Sequence, residues 1–420
     1  MSPMAIHEAT SMGPDNLHEQ IAATVKKYEQ DLATLCKKIH DNPELRYEEH
    51  QAHDNICDFL DDLGYNTSRH TYGLDTSFEA EYGSGGRVVV FNAEYDALPG
   101  LGHACGHNLI ATASVAAFIA TAKAMELNHI PGRVRILGTP AEESGGGKIA
   151  LLEKGAYDNV DACLMGHPLA RIDNGDQEVH GTAIMKTLAR KHVRVTYKGK
   201  SAHAGLCPWE GHNALDAVVS SYVNISMLRQ QLPTTARVQG VIRNGGAEPN
   251  IIPDQAVLEY YCRDTNAPAV EDMSEKVAAC FEGGATATGC SVDIEWDKKN
   301  AYKELRPNRV IAHSFTQHMS KFEKPFLEES TAAGGASTDM GNVCDKVPGF
   351  HCGFSIDTGD PRIGPHSPGF AAAAGTKSAL RDALDCGMGM AATAYDILSN
   401  DKLAQSVRAD FEKQISEVRT

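Results

Sequence analysis

Positive charge is scarce in this chain. Its 39 Lys and Arg residues face 55 Asp and Glu residues, so the formal net charge at pH 7 is −16. Nucleic acids and anionic membrane surfaces attract clustered basic side chains. The charge therefore argues against nucleic acid and membrane as partners, although a local basic pocket for a small carboxylate remains compatible with it.

Signals for export and membrane insertion are also lacking. The longest run of small apolar residues, Leu109 to Ala122, ends at Lys123 and is too short for a membrane span, so it predicts a buried helix. Residues 1–13 contain no basic segment followed by an apolar run, and we expect no signal peptide. The 11 cysteines form no C-x-x-C pair and are odd in number. We therefore expect free thiols and a cytoplasmic location.

Strand and helix patterns alternate in the first half of the chain. Short apolar strands are predicted over 87–91, 134–137 and 162–165, with the Ala-rich helix between the first two. A further helix is predicted from Pro43 to about Leu63. This alternation predicts an α/β fold with a largely parallel sheet covered by helices.

The middle of the chain has a different pattern. Between residues 188 and 300 the predicted order is β-α-β-β-α-β, which is the ferredoxin-like arrangement. The chain then returns to the first domain and closes with a small-residue helix near Ala371 to Leu398. We therefore predict two domains: residues 1–187 and 301–420 form the larger one, and residues 188–300 form an inserted domain.

Candidate metal ligands begin with Cys105 and His107, which lie two residues apart among glycines. The adjacent carboxylates Glu142 and Glu143 follow the strand predicted at 134–137. A hydrolytic metal site needs nitrogen or sulfur donors, a carboxylate ligand and a second carboxylate that stays free to take a proton. Each motif alone is more often structural, but together they predict such a site.

Two isolated histidines and one aspartate extend this set. His167 and His366 are each next to a proline, which indicates a rigid, non-helical backbone. Asp96, the two glutamates and His167 all lie just past a predicted strand end. In open α/β sheets, sites gather at the carboxyl ends of the strands. We therefore expect these side chains to converge.

Taken together, the motifs resemble those of the zinc aminoacylase/carboxypeptidase superfamily. Within it, they are most similar to the amidohydrolase branch of auxin-conjugate and hippurate hydrolases, and to the subgroup of aminoacylase-1-like protein 2 and p-aminobenzoyl-glutamate hydrolase subunits. The matching segments run in order along nearly the whole chain: His40-x-x-Pro43-Glu44-Leu45, Asp96-Ala97-Leu98-Pro99, His103-Ala104-Cys105-Gly106-His107, Ala141-Glu142-Glu143, Gly199-Lys200-Ser201-Ala202-His203-Ala204, Gly246-x-x-x-Asn250-x-Ile252-Pro253, Ala336-Ser337-Thr338-Asp339 and His366-Ser367-Pro368-x-Phe370.

The resemblance implies a metallopeptidase-type catalytic domain and two divalent metal ions per subunit, zinc first, with manganese or cobalt as alternatives. The inserted domain would be a lid that also carries a homodimer contact. Glu142 matches the general base, Asp96 an orienting carboxylate and His203 an oxyanion donor that reaches the partner's site. Asn250 and Arg263 match residues that bind a substrate carboxylate. The implied metal ligands are Cys105, His107, Glu143, His167 and His366.

Two positions depart from the wider family. Asn108 replaces an aspartate that is usual in auxin-conjugate hydrolases, and Glu94 stands where the peptidase branches have a metal-binding histidine. By this resemblance His107 would supply the missing nitrogen. Which residue bridges the two metals is left open.

The resemblance implies hydrolysis of an amide bond next to a free carboxylate. The substrate would be an N-acyl amino acid or related conjugate, or alternatively a dipeptide such as a β-alanyl dipeptide. A scaffold without activity would be indicated by a missing ligand or base, and neither is missing. The sequence does not separate a catabolic from a biosynthetic role.

Overall fold

The computed structural model describes residues 14–171, 179–329 and 334–419. Within these ranges the helices are α1 (Pro14–Lys27), α2 (Glu29–Asp41), α3 (His50–Asp62), α4 (His107–Asn128), α5 (Gly147–Glu153), α6 (Ala214–Leu228), α7 (Ala267–Thr288), α8 (Arg309–Lys321), α9 (Met340–Cys344), α10 (Pro368–Ala374), α11 (Lys377–Ser399) and α12 (Asp401–Arg419). The strands are β1 (Thr67–Arg69), β2 (Phe78–Ser84), β3 (Val88–Ala93), β4 (Gly132–Gly138), β5 (Ala162–Ala170), β6 (Gly181–Ile184), β7 (Ala189–Lys198), β8 (Arg237–Asn244), β9 (Gln255–Asp264), β10 (Ser291–Tyr302), β11 (Leu327–Glu329) and β12 (Gly349–Ile356).

A mixed eight-stranded sheet forms the larger part of the molecule. Its strand order is β1-β2-β4-β3-β5-β12-β6-β11. The central strands β4, β3, β5 and β12 are parallel, whereas β2 joins β4 and β6 joins β12 in antiparallel pairs. Every residue of β3 and of β12 is buried, as expected for apolar strands covered on both faces. The predicted α/β fold with a mixed, largely parallel sheet is confirmed.

Helix α4 is the core helix of this part. It packs against α11, β3 and β5. Among the described residues it is also the one helix long and apolar enough to cross a membrane, yet 94% of its most apolar window is buried inside the protein. A Cβ added to Gly387 would lie 2.8 Å from the carbonyl oxygen of Ala113, so this glycine allows α11 to approach α4 closely. The prediction of a buried helix is confirmed.

The four-stranded unit comprises strands β7 to β10 and helices α6 and α7. All its strand pairs are antiparallel, in the order β10-β7-β9-β8. The chain order β7-α6-β8-β9-α7-β10 is the predicted ferredoxin-like one, and Val193, Leu258 and Phe281 belong to a separate apolar core. These elements run from Ala189 to Tyr302. The domain boundaries at residues 188 and 300 stay a prediction.

Two helix boundaries differ from the sequence expectation. The helix predicted after Pro43 begins only at His50, because the Glu44 carboxylate accepts hydrogen bonds from the backbone N–H groups of Gln51 and Ala52 and so caps the helix start. The closing helix is two helices, α10 and α11. Thr376 caps the second one by accepting from the N–H of Ala379.

Candidate metal centre

The predicted site lies at the carboxyl ends of three adjacent parallel strands, β4, β3 and β5. Asp96 follows β3, and Glu142 and Glu143 follow β4. His167 was expected past a strand end but lies within β5, where it pairs with Gly353 of β12. The strand is longer than its apolar run because β12 continues to bond it. Fixed strand ends thus bring together residues that are far apart in sequence.

Asp96 positions two members of the site. Its Oδ1 lies 2.9 Å from Nδ1 of His107, and its Oδ2 accepts a hydrogen bond of 3.0 Å from the backbone N–H of Glu143. Burial alone would lower the pKa of His107, but the Asp96 charge and hydrogen bond raise that pKa well above its usual value. The bond to Nδ1 leaves Nε2 facing the centre. A carboxylate that orients a ligating histidine in this way is a recurring feature of metal sites.

Cys105 and His167 form the next pair. The Cys105 Sγ lies 3.4 Å from Nε2 of His167, whose Nδ1 donates to the carbonyl oxygen of Pro168 at 2.8 Å. The His167 Nε2 therefore presents its lone pair to the centre. Burial raises the pKa of the Cys105 thiol well above its ordinary value. A thiolate here needs a cation, so metal binding would release the proton.

Glu143 lies between two histidines. Its Oε2 is 3.3 Å from Nε2 of His366, and its Oε1 is 3.8 Å from Nε2 of His107. Burial raises the pKa of Glu143, but the His366 hydrogen bond and the two imidazolium charges outweigh it and lower that pKa to about 2. The position of Glu143 suits a carboxylate ligand.

Glu142 has the opposite electrostatic environment. Its side chain is 6% exposed, and burial, followed by the charges of Glu94 and Glu143, raises its pKa well above the ordinary value. Its backbone is fixed because the Tyr302 hydroxyl donates to the Glu142 carbonyl oxygen at 2.7 Å. Two adjacent carboxyls thus have pKa values shifted in opposite directions, which is typical of acid–base assignments in active sites.

A buried ion triad next to Glu142 was not predicted. The Lys148 ammonium lies 2.5 Å from Glu94 and 2.7 Å from Asp339, and all three side chains are fully buried. The acidic cluster of Glu94, Glu142 and Asp339 could by distance alone hold a cation, but the Lys148 ammonium already pairs with two of its three members. The Gly-rich segment before Lys148 gave no signal of this pairing in the sequence.

Glu49 was also missed. It is fully buried, accepts a hydrogen bond of 2.8 Å from the Thr76 hydroxyl and accepts one of 2.9 Å from the backbone N–H of Ala141. Ala141 has a positive φ of 59°, and it directly precedes the two glutamates of the predicted site. Glu49 therefore supports the turn that presents Glu142 and Glu143.

Asn108 points away from the centre and donates to the carbonyl oxygen of Ala374 at 2.9 Å.

The donor set fits divalent cations. Three groups of side chains each have ligand atoms within 4.8 Å of one another: Cys105 with His107 and His167, Cys105 with Glu143 and His366, and His107 with Glu142 and Glu143. In the described part of the chain, His107 Nε2, Glu143 Oε1 and Glu94 Oε2 are buried without a hydrogen-bond partner. Buried polar atoms rarely remain unpaired. Their convergence indicates a place for a cation.

His203, Asn250 and Arg263 lie in the four-stranded unit. His203 and Asn250 are neighbours, since the N–H of Ala204 donates to the Asn250 carbonyl oxygen at 3.0 Å. The His203 Nδ1 accepts from the N–H groups of Gly205 and Leu206, which leaves the proton on Nε2. No hydrogen bond or ion pair within the described ranges joins His203 or Asn250 to the predicted metal ligands. Arg263 contacts Ser337 near the centre. The roles assigned to all three stay predictions.

Comparison with known proteins gives a consistent result. The sequence profile of peptidase family M20/M25/M40 matches residues 90–380. Xaa-Arg dipeptidase of Mus musculus is 39% identical over 96% of this chain and 93% of its own length. A p-aminobenzoyl-glutamate hydrolase subunit of Escherichia coli strain K12 is 33% identical over 70% of this chain and 63% of its own. A dinuclear metal-binding peptidase of the M20 family from Bacillus subtilis shares the fold, with a TM-score of 0.62 at 22% identity, over 88% of this chain and 99% of its own.

Proposed function

The chain belongs to peptidase family M20/M25/M40 and is a hydrolase of amide or peptide bonds, and on that premise we propose that it cleaves an amide bond next to a free carboxylate. The resemblance drawn from the motifs is thereby confirmed. The observation that supports this site for the reaction is the set of buried donor atoms around Glu143, which lack partners and lie next to a carboxyl with a raised pKa.

We assign the metal ligands as the resemblance implied: Cys105, His107, Glu143, His167 and His366. Two divalent ions bound there would lower the pKa of a water molecule and polarise the scissile carbonyl. Zinc suits a set with thiolate and imidazole donors, and manganese or cobalt are the alternatives. The chain's own carboxyl, Glu142, then takes the proton of the attacking water and delivers it to the leaving nitrogen. Its raised pKa suits both transfers, since an acid–base group works best with a pKa near the working pH.

The adjacent glutamates provide a matched experiment. Glu142→Gln should lower turnover by about two to four orders of magnitude, the scale of losing a general acid–base group, while bound metal is retained. Glu143→Gln should lose metal instead. Turnover and elemental analysis of the same preparations separate the two. If the activity of Glu142→Gln stays within a few-fold of the unsubstituted protein, Glu142 is not the general base. If the unsubstituted protein, purified without chelator, binds no divalent metal, a non-catalytic scaffold would be favoured.

Two substrate classes fit this centre. The names of the relatives include a dipeptidase and a hydrolase of p-aminobenzoyl-glutamate, and we propose an N-acyl amino acid or related conjugate first, with a dipeptide as the alternative. They differ in whether the acyl side of the bond carries an amine. A panel of acetyl-, benzoyl- and β-alanyl-amino acids, assayed with added zinc or manganese, tests the two classes. Turnover of the β-alanyl compounds alone would favour the dipeptidase.

We further propose that the protein is a homodimer through the four-stranded unit. Helix α6 exposes an apolar stripe of Val219, Tyr222, Val223 and Met227. Strand β8 is an edge strand of the small sheet and exposes Val241 and Ile242. Exposed apolar stripes and unpaired strand edges favour association.

In such a dimer, the Nε2–H of His203 would donate a hydrogen bond to the oxyanion in the partner's site. The free thiols of all 11 cysteines support the proposed cytoplasmic location.

Analytical ultracentrifugation of the native protein and of a Val223→Asp variant tests the proposed dimer interface. A monomeric native protein would contradict it.

A further inference from the structure

One face of the four-stranded unit carries a row of arginines. Arg190 on β7 is the direct cross-strand partner of Arg263 on β9, and Arg237 on β8 is the partner of Arg263 on its other side. Helices α6 and α7 pack on the opposite face, where Val193 and Leu258 belong to the core. Like charges directly opposite each other on a sheet are destabilising. The arginine row is therefore destabilising unless negative charge lies next to it.

In the next charged row on the same face, the arginines are paired with a carboxylate. Arg194 and Arg243 both contact the carboxylate of Glu259, with 2.6 Å between Arg243 Nε and Glu259 Oε2. Within the described ranges, by contrast, Arg190, Arg263 and Arg237 form no ion pair with a carboxylate.

The carboxylate of Glu304 lies near the arginine row. Glu304 lines a cavity of about 930 Å³ together with Arg263 and Arg237. Its oxygens are already engaged by the N–H of Ala267 at 2.9 Å and by Arg306 Nε at 3.3 Å. Among the described residues, the positive charge of the row is therefore left without a paired carboxylate.

Arg190 and Arg263 are also poorly hydrogen-bonded. Arg190 is 7% exposed, and its Nε and Nη2 have no partner among the described residues. Its guanidinium rests on the ring of Tyr302, 4.0 Å from the ring centre. The Nε of Arg263 is likewise unpartnered, and its Nη1 reaches Gly335 and Ser337 only at 3.4 Å. A buried charge without partners is costly unless a ligand completes its bonds.

Each guanidinium contacts a residue that lies next to the metal centre. The Tyr302 ring that supports Arg190 carries the hydroxyl that holds the Glu142 carbonyl at 2.7 Å. Ser337, which Arg263 contacts, lies two residues before Asp339 of the buried triad. A molecule bound between the arginines would therefore extend from the catalytic glutamate toward the cavity that Arg263 lines.

We propose that Arg190 and Arg263 select substrates whose leaving amino acid carries two carboxylates, as in conjugates of aspartate or glutamate. Arg263 binds the α-carboxylate, the role that the family resemblance already implied, and Arg190 binds the carboxylate of the side chain. The inference rests on the proposed amide hydrolysis and deepens it. A leaving residue with a basic side chain would meet like charge, so this selectivity differs from the one named for the Mus musculus relative.

The test compares benzoylglutamate, benzoylleucine and benzoyllysine as substrates. The unsubstituted enzyme should favour benzoylglutamate in kcat/KM. Arg190→Gln should lower the ratio of kcat/KM for benzoylglutamate to that for benzoylleucine by roughly tenfold to hundredfold, mostly through KM, which is the scale of losing a hydrogen bond to a charged group. Arg190→Glu should shift the preference toward benzoyllysine. Arg194→Gln, on the same strand and face but exposed and paired with Glu259, should leave the ratio unchanged.

A binding measurement keeps the inference independent of turnover. Calorimetry with glutarate and the metal-free protein should show binding that Arg190→Gln weakens at least tenfold. If Arg190→Gln does not fold, Arg190→Lys serves instead. Lysine keeps the positive charge but loses the bidentate geometry of the guanidinium, so this variant should weaken glutarate binding less than tenfold. If none of the benzoyl compounds or panel substrates is hydrolysed, the proposed function fails and glutarate binding alone decides the inference. An unchanged substrate ratio in folded Arg190→Gln, equal glutarate affinity, or a wild-type preference for benzoyllysine would overturn it.

Discussion

Replacement of the buried carboxyl of Glu49 by an amide should change how stability depends on pH. Glu49 is fully buried, and burial, reinforced by the charge of Asp96, raises its pKa from the ordinary 4.5 to about 7. The unfolded chain loses this proton near pH 4.5, whereas the folded protein keeps it until near pH 7. The contribution of Glu49 to stability is therefore complete below pH 4.5 and is lost as the pH rises through 7.

The size of the effect follows from these two pKa values. A difference of one in pKa corresponds to about 1.4 kcal/mol, so the full loss is about 3 kcal/mol. Glutamine at this position stays neutral, and its amide oxygen can still accept from the N–H of Ala141. Relative to the unsubstituted protein, Glu49→Gln should be about equally stable near pH 4.5 and more stable by about 3 kcal/mol above pH 7.

Urea unfolding followed by circular dichroism measures this difference. Metal-free protein should be used, because metal binding has its own dependence on pH. The same substitution at Glu48, whose side chain is 77% exposed, serves as the control and should not produce this trend. A difference between wild type and Glu49→Gln that is constant with pH, or a variant less stable above pH 7, would show that the hydrogen bonds from Thr76 and Ala141 keep Glu49 ionised and would refute the reasoning.

Three further predictions concern the metal centre and its surroundings. Elemental analysis should find less bound divalent metal in Cys105→Ser than in the unsubstituted protein, whereas Cys57→Ser should keep its metal, since only the Cys105 thiol lies in the donor cluster. Equal metal loss from both variants would indicate general destabilisation. Lys148→Met leaves two buried carboxylates unpaired, so it should lower the free energy of unfolding, measured with urea at neutral pH, by about 3–5 kcal/mol. A loss below about 1 kcal/mol would show that the two carboxylates become protonated instead. His203→Ala should lower turnover by about two to three orders of magnitude, and co-expression with Glu142→Gln should restore activity in heterodimers; inactive heterodimers of folded subunits would rule out a shared site.

The sequence predicted the parts of the site that are carried by local chain geometry. Glu142 and Glu143 lie in the turn that follows a strand, and Cys105 and His107 lie at a glycine-rich turn where a helix begins, so their presentation depends on a few neighbouring residues. The parallel order of β4, β3 and β5 then brings these segments to one edge. For the same reason the ferredoxin-like order of the second unit could be predicted from its strand and helix patterns.

Other features depend on contacts between distant segments and had no local signal. Lys148 finds Asp339 and Glu94 only because α5 packs against α9 and the chain after β3 ends beside Lys148. Glu49 reaches the turn at Ala141 from 92 residues away. The closing helix was predicted as one piece because its break at Thr376 is a capping hydrogen bond and not a change in apolar pattern.

The sequence by itself determined the family, the reaction class and the chemical identity of the donor atoms, because those depend on which residues are present and in what order. Only the tertiary structure decided which charges are paired and which are left over. Arg190 and Arg194 alternate with core residues on the same strand. Arg190 is buried and has no ion pair within the described ranges, whereas Arg194 is exposed beside Glu259. Charge pairing and desolvation are set by distances across strands and between units, and these distances exist only once the chain has folded.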